Sequence, residues 1–78
     1  MRITLNGESR EIPSNVTVTA LLQDLDLQPE RVAVEINLNI LDRSLFQSRN
    51  LTEGDQIEII SFIGGGSHRR TITHEINA

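Results

Sequence analysis

The sequence predicts an α+β domain in which a mixed sheet of four or five strands packs against a single helix. Several segments carry apolar residues at every second position, as strands do, and one segment carries them at helical spacing. A single helix covers only one face of the sheet, which predicts a two-layer sandwich. The length of 78 residues suits one such domain.

The first predicted element is a β-hairpin in "MRITLNGESREIP". Ile3 and Leu5 alternate with polar residues, and Asn6-Gly7 supplies the two positive-φ residues that a type I′ turn needs. Pro13 is expected to end the second strand, because proline has no N–H to donate to the sheet.

A helix over about residues 18–26 is predicted next, in "VTVTALLQDLDL". Thr17 is the expected N-cap, since its side-chain oxygen can accept a hydrogen bond from the first turn. Pro29 prevents the helix from continuing. Four apolar residues at positions i, i+3, i+4 and i+7 form its buried face: Val18, Leu21, Leu22 and Leu25.

Two strands and a short helical turn are predicted after the helix. "RVAVEIN" alternates, and three of its residues are expected to face the helix: Val32, Val34 and Ile36. "LNILDR" predicts a turn and a short strand at Ile40–Leu41. "SLFQS" predicts one helical turn that brings Leu45 and Phe46 to the edge of the core.

The last strand, "QIEIISFI", is expected to be apolar on both faces. If Ile57 and Ile59 face the helix, Ile60 and Phe62 point to the other side of the sheet, with Ile63 beyond them. No second layer covers that side, and exposed apolar groups of this kind are typical of a partner surface. The alternative is that a loop covers them or that the register is shifted by one residue.

Composition and charge exclude several functional classes. The formal net charge is −4, and residues 1–66 alone carry −5, which disfavours nucleic-acid binding. The absence of cysteine excludes disulfides and thiolate metal sites and favours an intracellular, cytoplasmic location. No apolar run is long enough to cross a membrane.

No catalytic or metal-binding constellation is recognisable. The two histidines, His68 and His74, lie close to the C-terminal end without a suitable set of further ligands. Ser44, Ser48 and Ser61 have no histidine within the body of the domain to act as a base. "GGGS" lacks the lysine of a phosphate-binding loop. The sequence therefore predicts neither an enzyme nor a metal site.

Three consecutive glycines, Gly64, Gly65 and Gly66, follow the last strand directly. Glycine has no Cβ, so such an arm can enter a tunnel that is too narrow for side chains. Three extended residues reach about 10 Å beyond the domain. A flexible linker is the alternative interpretation.

These segments together resemble the β-grasp sulfur carriers, and among them the ThiS family. The resemblance rests on "LNGESREIP", "VTVTALLQDLDL", "RVAVEIN" and "EGDQIEIISFIGGG" and on the spacing between them, over residues 1–66. "EGD" followed by an apolar strand and glycines is the most specific part. "VAVEIN" with "FIGGG" favours ThiS over its molybdopterin relative MoaD. The resemblance implies that the first and last strands are parallel neighbours.

The resemblance also implies a mechanism and partners. An E1-like, ThiF-type enzyme would adenylate the carboxylate of Gly66 with ATP and magnesium. A persulfide from a cysteine desulfurase system would then convert it to a thiocarboxylate, from which the thiazole synthase ThiG would take sulfur for thiamin biosynthesis. Gly64 and Gly65 would form the arm, and Ile60, Phe62 and Ile63 would dock these partners. The carrier itself is expected to be a monomer.

The sequence departs from the family pattern after the glycines. Gly66 is followed by "SHRRTITHEINA", residues 67–78, so its carbonyl is in an amide bond. The extension would be a precursor segment to be removed, an artificial addition or read-through past the natural end, or a mark of a diverged, non-carrier binding module. With few apolar residues it is expected to be flexible and to stay outside the core. A MoaD-like role or another thiocarboxylate pathway remains the alternative to thiamin biosynthesis.

Overall fold

The computed structural model describes residues 1–63 and 70–72, of which Phe62, Ile63 and the last three are described as backbone. Five strands of a six-stranded mixed sheet follow the order β2-β1-β5-β3-β4, and one helix, α1, lies at Val18–Asp24. The strands are β1 Arg2–Leu5, β2 Glu8–Glu11, β3 Val32–Ile36, β4 Asn39–Ile40 and β5 Gln56–Ile63. Short 3-10 turns occupy Pro29–Arg31 and Arg43–Leu45. The predicted α+β class and β-grasp arrangement are confirmed.

The core lies between α1 and one face of the sheet. Every apolar residue predicted to face the helix or the sheet is buried there, and Ile12, Phe46 and Leu51 join the same cluster. The full set is Ile3, Leu5, Ile12, Val18, Leu21, Leu22, Leu25, Val32, Val34, Ile36, Phe46, Leu51, Ile57 and Ile59. This one cluster stabilises the domain by removing apolar surface from water.

Helix α1 begins as predicted and ends two residues early. The side chain of Thr17 accepts a hydrogen bond from the backbone N–H of Ala20 at 3.1 Å, which confirms the N-cap. Leu25 is the C-cap, and Asp26 has a φ of 61°, which turns the chain out of the helix. Aspartate tolerates this left-handed conformation better than most residues.

The β1–β2 and β3–β4 hairpins each turn through two residues of positive φ. Asn6 and Gly7 have φ values of 48° and 85°, as the predicted type I′ turn requires. Asn37 and Leu38, with φ values of 53° and 73°, turn β3 into β4 in the same way. That two-residue turn fixes β4 at Asn39–Ile40, one residue earlier than the strand predicted at Ile40–Leu41.

The helical turn after β4 buries one of its two predicted core residues. Phe46 is buried, whereas Leu45 is 48% exposed, so its predicted place at the edge of the core is wrong. The turn is a 3-10 turn with three residues per revolution. Adjacent residues therefore point about 120° apart and cannot both face the core.

Strand β5 is central and has neighbours on both edges. It pairs in parallel with β1 at Gln56 and Ile57, as predicted, and antiparallel with β3 from Ile57 to Ser61. A sixth strand, β6 (Arg70–Ile72), pairs antiparallel with Ser61–Ile63. Ser61 is the partner of both Val32 and Ile72, so β6 lies on the edge away from β3.

Strand β6 lies in the extension, residues 67–78, where the sequence predicts no strand. The predicted flexibility of the extension stays a prediction. Strand pairing uses backbone N–H and C=O groups, which every residue except proline supplies, and so requires no apolar set. Residues 67–69 and 73–78 lie outside the described residues.

Candidate functional site at the root of the glycine arm

The predicted site residues lie at and beyond the C-terminal end of β5. Ile60 is half-buried and pairs with Ala33 of β3. Phe62 and Ile63 continue the strand, and the predicted roles of their side chains lie outside the described part of the molecule. Gly64, Gly65 and Gly66 likewise lie outside the described residues.

The register of β5 agrees with the prediction. Ile57 and Ile59 are 1% and 0% exposed and face α1, so the alternative of a register shifted by one residue is wrong. Gln56, Glu58 and Ile60 consequently belong to the opposite face, which we call the outer face of the sheet. The only described helix, α1, packs on the other side and leaves this face without a layer of its own.

Two further apolar residues, which the sequence did not single out, are highly exposed near the outer face. Leu38 is 86% and Ile40 is 76% exposed, and Ile40 pairs with Glu35 on that face. Leu38 holds a φ of 73°, which is unfavourable for leucine. The available signal was a leucine between two asparagines in a turn, where a polar residue or glycine is usual.

The outer face is acidic as well as apolar. Glu35 of β3 lies directly opposite Glu58 of β5, a cross-strand pair of like charges that costs stability. No ion pair joins either carboxylate to a cation among residues 1–61. A small hollow of about 110 Å³ runs beside them from Leu38 to Thr4. A partner with basic and apolar side chains would complement this surface.

A larger groove opens on the other side of the same strand. Its volume is about 580 Å³, and its walls come from the end of α1, the segment before β3 and the end of β5. Asp26 and Leu27 line one wall, Arg31 and Val32 another, and Ser61 closes it next to the last residues of β5. The groove therefore lies beside the point at which the arm leaves the domain.

Asn6 holds β5 in place along the edge that β1 does not reach. Its side-chain Oδ1 accepts a hydrogen bond from the N–H of Ile59 at 2.8 Å, and its Nδ2 donates to the Ile59 carbonyl oxygen at 3.3 Å. Its own N–H donates to the carbonyl oxygen of Ile57 at 2.8 Å. The amide side chain thus takes the place of a strand residue opposite Ile59.

Asn37 makes a similar contact at the beginning of β5. Its Oδ1 accepts from the N–H of Gln56 at 2.9 Å, and its N–H donates to the carbonyl oxygen of Gln56 at 2.7 Å. Its Nδ2 donates to Oδ1 of the buried Asp55 at 3.0 Å. Two turn asparagines, Asn6 and Asn37, thereby fix the central strand from its two edges.

Asp55 is the only buried charged residue in the described part of the chain. Burial raises the pKa of its carboxyl, but hydrogen bonds from the Thr52 N–H and the Asn37 amide, with the charge of Arg49, outweigh that effect and hold the pKa below its usual range. The guanidinium of Arg49 lies 3.4 Å from Oδ2. The "EGD" turn is therefore a structural support for β5.

Residues 1–63 and 70–72 contain neither a metal-ligand cluster nor a membrane-spanning helix. No group of three or more histidine, aspartate or glutamate side chains there is placed to hold a metal ion. None of the helices in that part of the chain has the length and apolarity needed to cross a bilayer.

The fold is that of solved thiamine biosynthesis proteins. The chain aligns with the crystal structure of the thiamine biosynthesis protein ThiS from Geobacter metallireducens with a TM-score of 0.73 and 36% identity. The alignment covers 85% of this chain and 100% of that one. A ThiS from Escherichia coli, a sulfur carrier protein, is 32% identical over 66 residues, which are 85% of this chain and the whole of the relative.

Two longer relatives are more similar in sequence. A thiazole synthase from Paramagnetospirillum magneticum is 43% identical over 67 residues, and one from Magnetococcus marinus is 44% identical over 68. These stretches are 86% and 87% of this chain but 21% of either relative. The chain thus spans about a fifth of the length of these thiazole synthases.

A protein-family model identifies the family to which this chain belongs. The model of the ThiS family matches residues 3–66, from the first apolar residue of β1 to the last of the three glycines. The resemblance seen in the sequence is confirmed, and the chain belongs to the ThiS family.

Proposed function

We propose that this protein is a sulfur carrier that delivers sulfur to a thiazole synthase as a thiocarboxylate on Gly66. The observation that carries the proposal is the extent of the family match, which stops at Gly66, directly after β5 and the two preceding glycines. The carrier would act after removal of residues 67–78, because an amide-bonded Gly66 has no carboxylate to activate. The chain would be a co-substrate and not itself an enzyme.

The chemistry begins at a carboxylate that is a poor electrophile. In the adenylating partner, an oxygen of the Gly66 carboxylate attacks the α-phosphorus of magnesium ATP, and pyrophosphate leaves. A persulfide attacks the acyl adenylate and displaces AMP, which gives an acyl disulfide. A second thiol of the sulfur-donating system then breaks the S–S bond, so that a disulfide forms there and the thiocarboxylate is released on the carrier.

In this mechanism the chain itself presents its C-terminal Gly66 to the active site of the partner. Strand β5 is fixed by Asn6 and Asn37 and by its pairing with β3 through Ser61. Three glycines in a fully extended conformation would reach about 10 Å from the end of such a strand. Since this arm carries no side chains, it fits a narrow path into an active site of the partner.

The outer face of the sheet is the proposed docking surface. It presents exposed Ile40, with Leu38 close by, and half-buried Ile60 around the carboxylates of Glu35 and Glu58. Apolar contact provides binding energy, and the carboxylates favour a partner with basic side chains there. The docking roles of Phe62 and Ile63 stay predictions, because their side chains lie outside the described part of the molecule.

A thiazole synthase is the proposed sulfur acceptor. The two relatives with that name contain a stretch more than 40% identical to this chain, joined to a much longer remainder. In those proteins the carrier-like part and the named activity belong to one polypeptide. A MoaD-like role for molybdopterin is the competing proposal, and the test below includes both acceptors.

The proposal is tested by intact-protein mass spectrometry. The chain ended at Gly66 is incubated with a ThiF-type enzyme, magnesium ATP and a persulfide source, and should gain the mass of one oxygen-to-sulfur exchange. The full chain and a chain ended at Gly65 serve as matched controls and should gain none. The loaded carrier is then offered to thiazole synthase and to molybdopterin synthase in parallel. Conversion of the full chain without cleavage would contradict the assignment of Gly66.

A further inference from the structure

One edge of β5 pairs with β3, and the other edge has different hydrogen-bonding partners along its length: first β1 and Asn6, then β6. The N–H and C=O groups of successive strand residues point to alternate edges. Ile57 and Ile59 direct theirs toward β1 and the Asn6 side chain. Ser61 and Ile63 therefore direct theirs to the same edge, beyond the reach of β1.

Strand β6 fills this last part of the edge. Ile72 pairs with Ser61 and Arg70 pairs with Ile63. If residues 67–78 are removed, two N–H and two C=O groups lose these partners at the root of the glycine arm. An unpaired edge next to an extended segment is a template for another strand.

Such an edge fits a known mode of recognition, in which an extended peptide adds a strand to a sheet edge and backbone hydrogen bonds provide the affinity.

We propose that the edge of β5 over Ser61–Ile63 is an acceptor site for an extended peptide strand. Residues 70–72 fill it in this chain, and an extended segment of the adenylating partner fills it once the chain ends at Gly66. The extension then competes with the partner for one edge, in addition to blocking the carboxylate. The role of the partner rests on the proposed function, whereas the acceptor site itself does not.

Amide hydrogen exchange, measured by NMR on the full chain and on the chain ended at Gly66, tests the site without any enzyme. The N–H groups of Ser61 and Ile63 should exchange at least about tenfold faster in the shortened chain, while that of Ile59, bonded to Asn6, should not change. Equal exchange of Ser61 in both chains would overturn the proposal.

A synthetic peptide of residues 67–78 should restore slow exchange when added to the shortened chain. Millimolar peptide is required, because a short connection gives the intramolecular strand an effective concentration of that order. Ile72→Pro removes a donor that points to Ser61 and should abolish the effect. Thr71→Pro is the matched control, since the N–H of Thr71 points away from β5, and it should retain the effect. Two equally active proline peptides would overturn strand addition.

Competition then tests the identity of the partner segment. The peptide should slow the adenylation of the shortened chain, and the Ile72→Pro peptide should not. Adenylation that is unaffected by a peptide shown to occupy the edge would overturn the role of the partner. If the shortened chain is never adenylated although the peptide binds, the proposed function fails and the acceptor site stands.

Discussion

The contact between Asn6 and Ile59 should be one of the largest single side-chain contributions to stability outside the core. Asn6→Gly removes the two side-chain hydrogen bonds to the backbone of Ile59. It adds no backbone strain, because glycine readily adopts the φ of 48° found at this position. Each hydrogen bond contributes about 0.5–1.5 kcal/mol, so the free energy of unfolding should fall by about 1–3 kcal/mol. Asn6→Ala should lose about 1–2 kcal/mol more, because a residue with a Cβ is strained in this conformation.

Urea unfolding monitored by circular dichroism measures both variants. The slope with denaturant should stay constant, since the surface exposed on unfolding is unchanged. Asn15→Gly is the matched control: Asn15 has a similar φ of 63°, is exposed and makes no side-chain hydrogen bond with the described residues. It should change stability by less than about 0.5 kcal/mol. If Asn6→Gly is as mild as Asn15→Gly, the hydrogen bonds to β5 contribute nothing measurable and the reasoning fails.

Three other predictions follow from burial, backbone strain and charge. Leu22→Ala should lower the free energy of unfolding by about 2–5 kcal/mol in the same urea assay, since Leu22 is 0% exposed. Leu38→Gly relieves a left-handed conformation that costs about 1–2 kcal/mol, while glycine adds a backbone-entropy cost of about 0.5–1 kcal/mol, so the free energy of unfolding should rise by about 0.5–1 kcal/mol. The same variant should weaken binding to the proposed adenylating partner in calorimetry. The pKa of Asp55 is lower in the folded protein than in the unfolded chain, where it is about 4. The ionised carboxylate therefore stabilises the fold fully above the unfolded pKa, and this stabilisation is lost as the pH falls through the folded pKa. Urea unfolding across a pH series should show the loss, and Asp55→Asn should make the loss smaller.

The core was predictable because it depends on local periodicity. Alternation in β3 and β5 and helical spacing in α1 fix which residues point inward, and all of those residues are buried. Leu45 shows the limit of the same logic. A stretch of one turn has too few residues for its period to be read, so the sequence could not tell a 3-10 turn from an α-helical turn.

The candidate site was predictable only in part. The register of β5 and the family could be predicted from the sequence, because alternation in one strand and a strand that runs directly into three glycines are local features. The contact of Asn6 with Ile59 was not predictable, because the two residues are 53 positions apart in the sequence. An asparagine at position 6 was also already explained by the type I′ turn at Asn6-Gly7, so nothing indicated a second role. The pairing of β6 could not be predicted, because it uses backbone N–H and C=O groups, which nearly every residue type supplies.

These long-range contacts give the end of β5 two different levels of support. Up to Ile59 the edge is held by β1 and by Asn6, which are parts of the folded domain. From Ser61 onward it is held by residues 70–72, which the proposed function removes. Under the two proposals, Asn6 therefore marks the boundary between the part of the strand that stays fixed and the part that pairs with a partner. In the chain ended at Gly66, Asn6→Gly should move that boundary inward, so that the Ile59 N–H, slow to exchange in the parent, exchanges as fast as that of Ser61. If Ile59 stays protected in this variant, the boundary is set by β3 alone, and Asn6 has no part in separating the rigid domain from the arm.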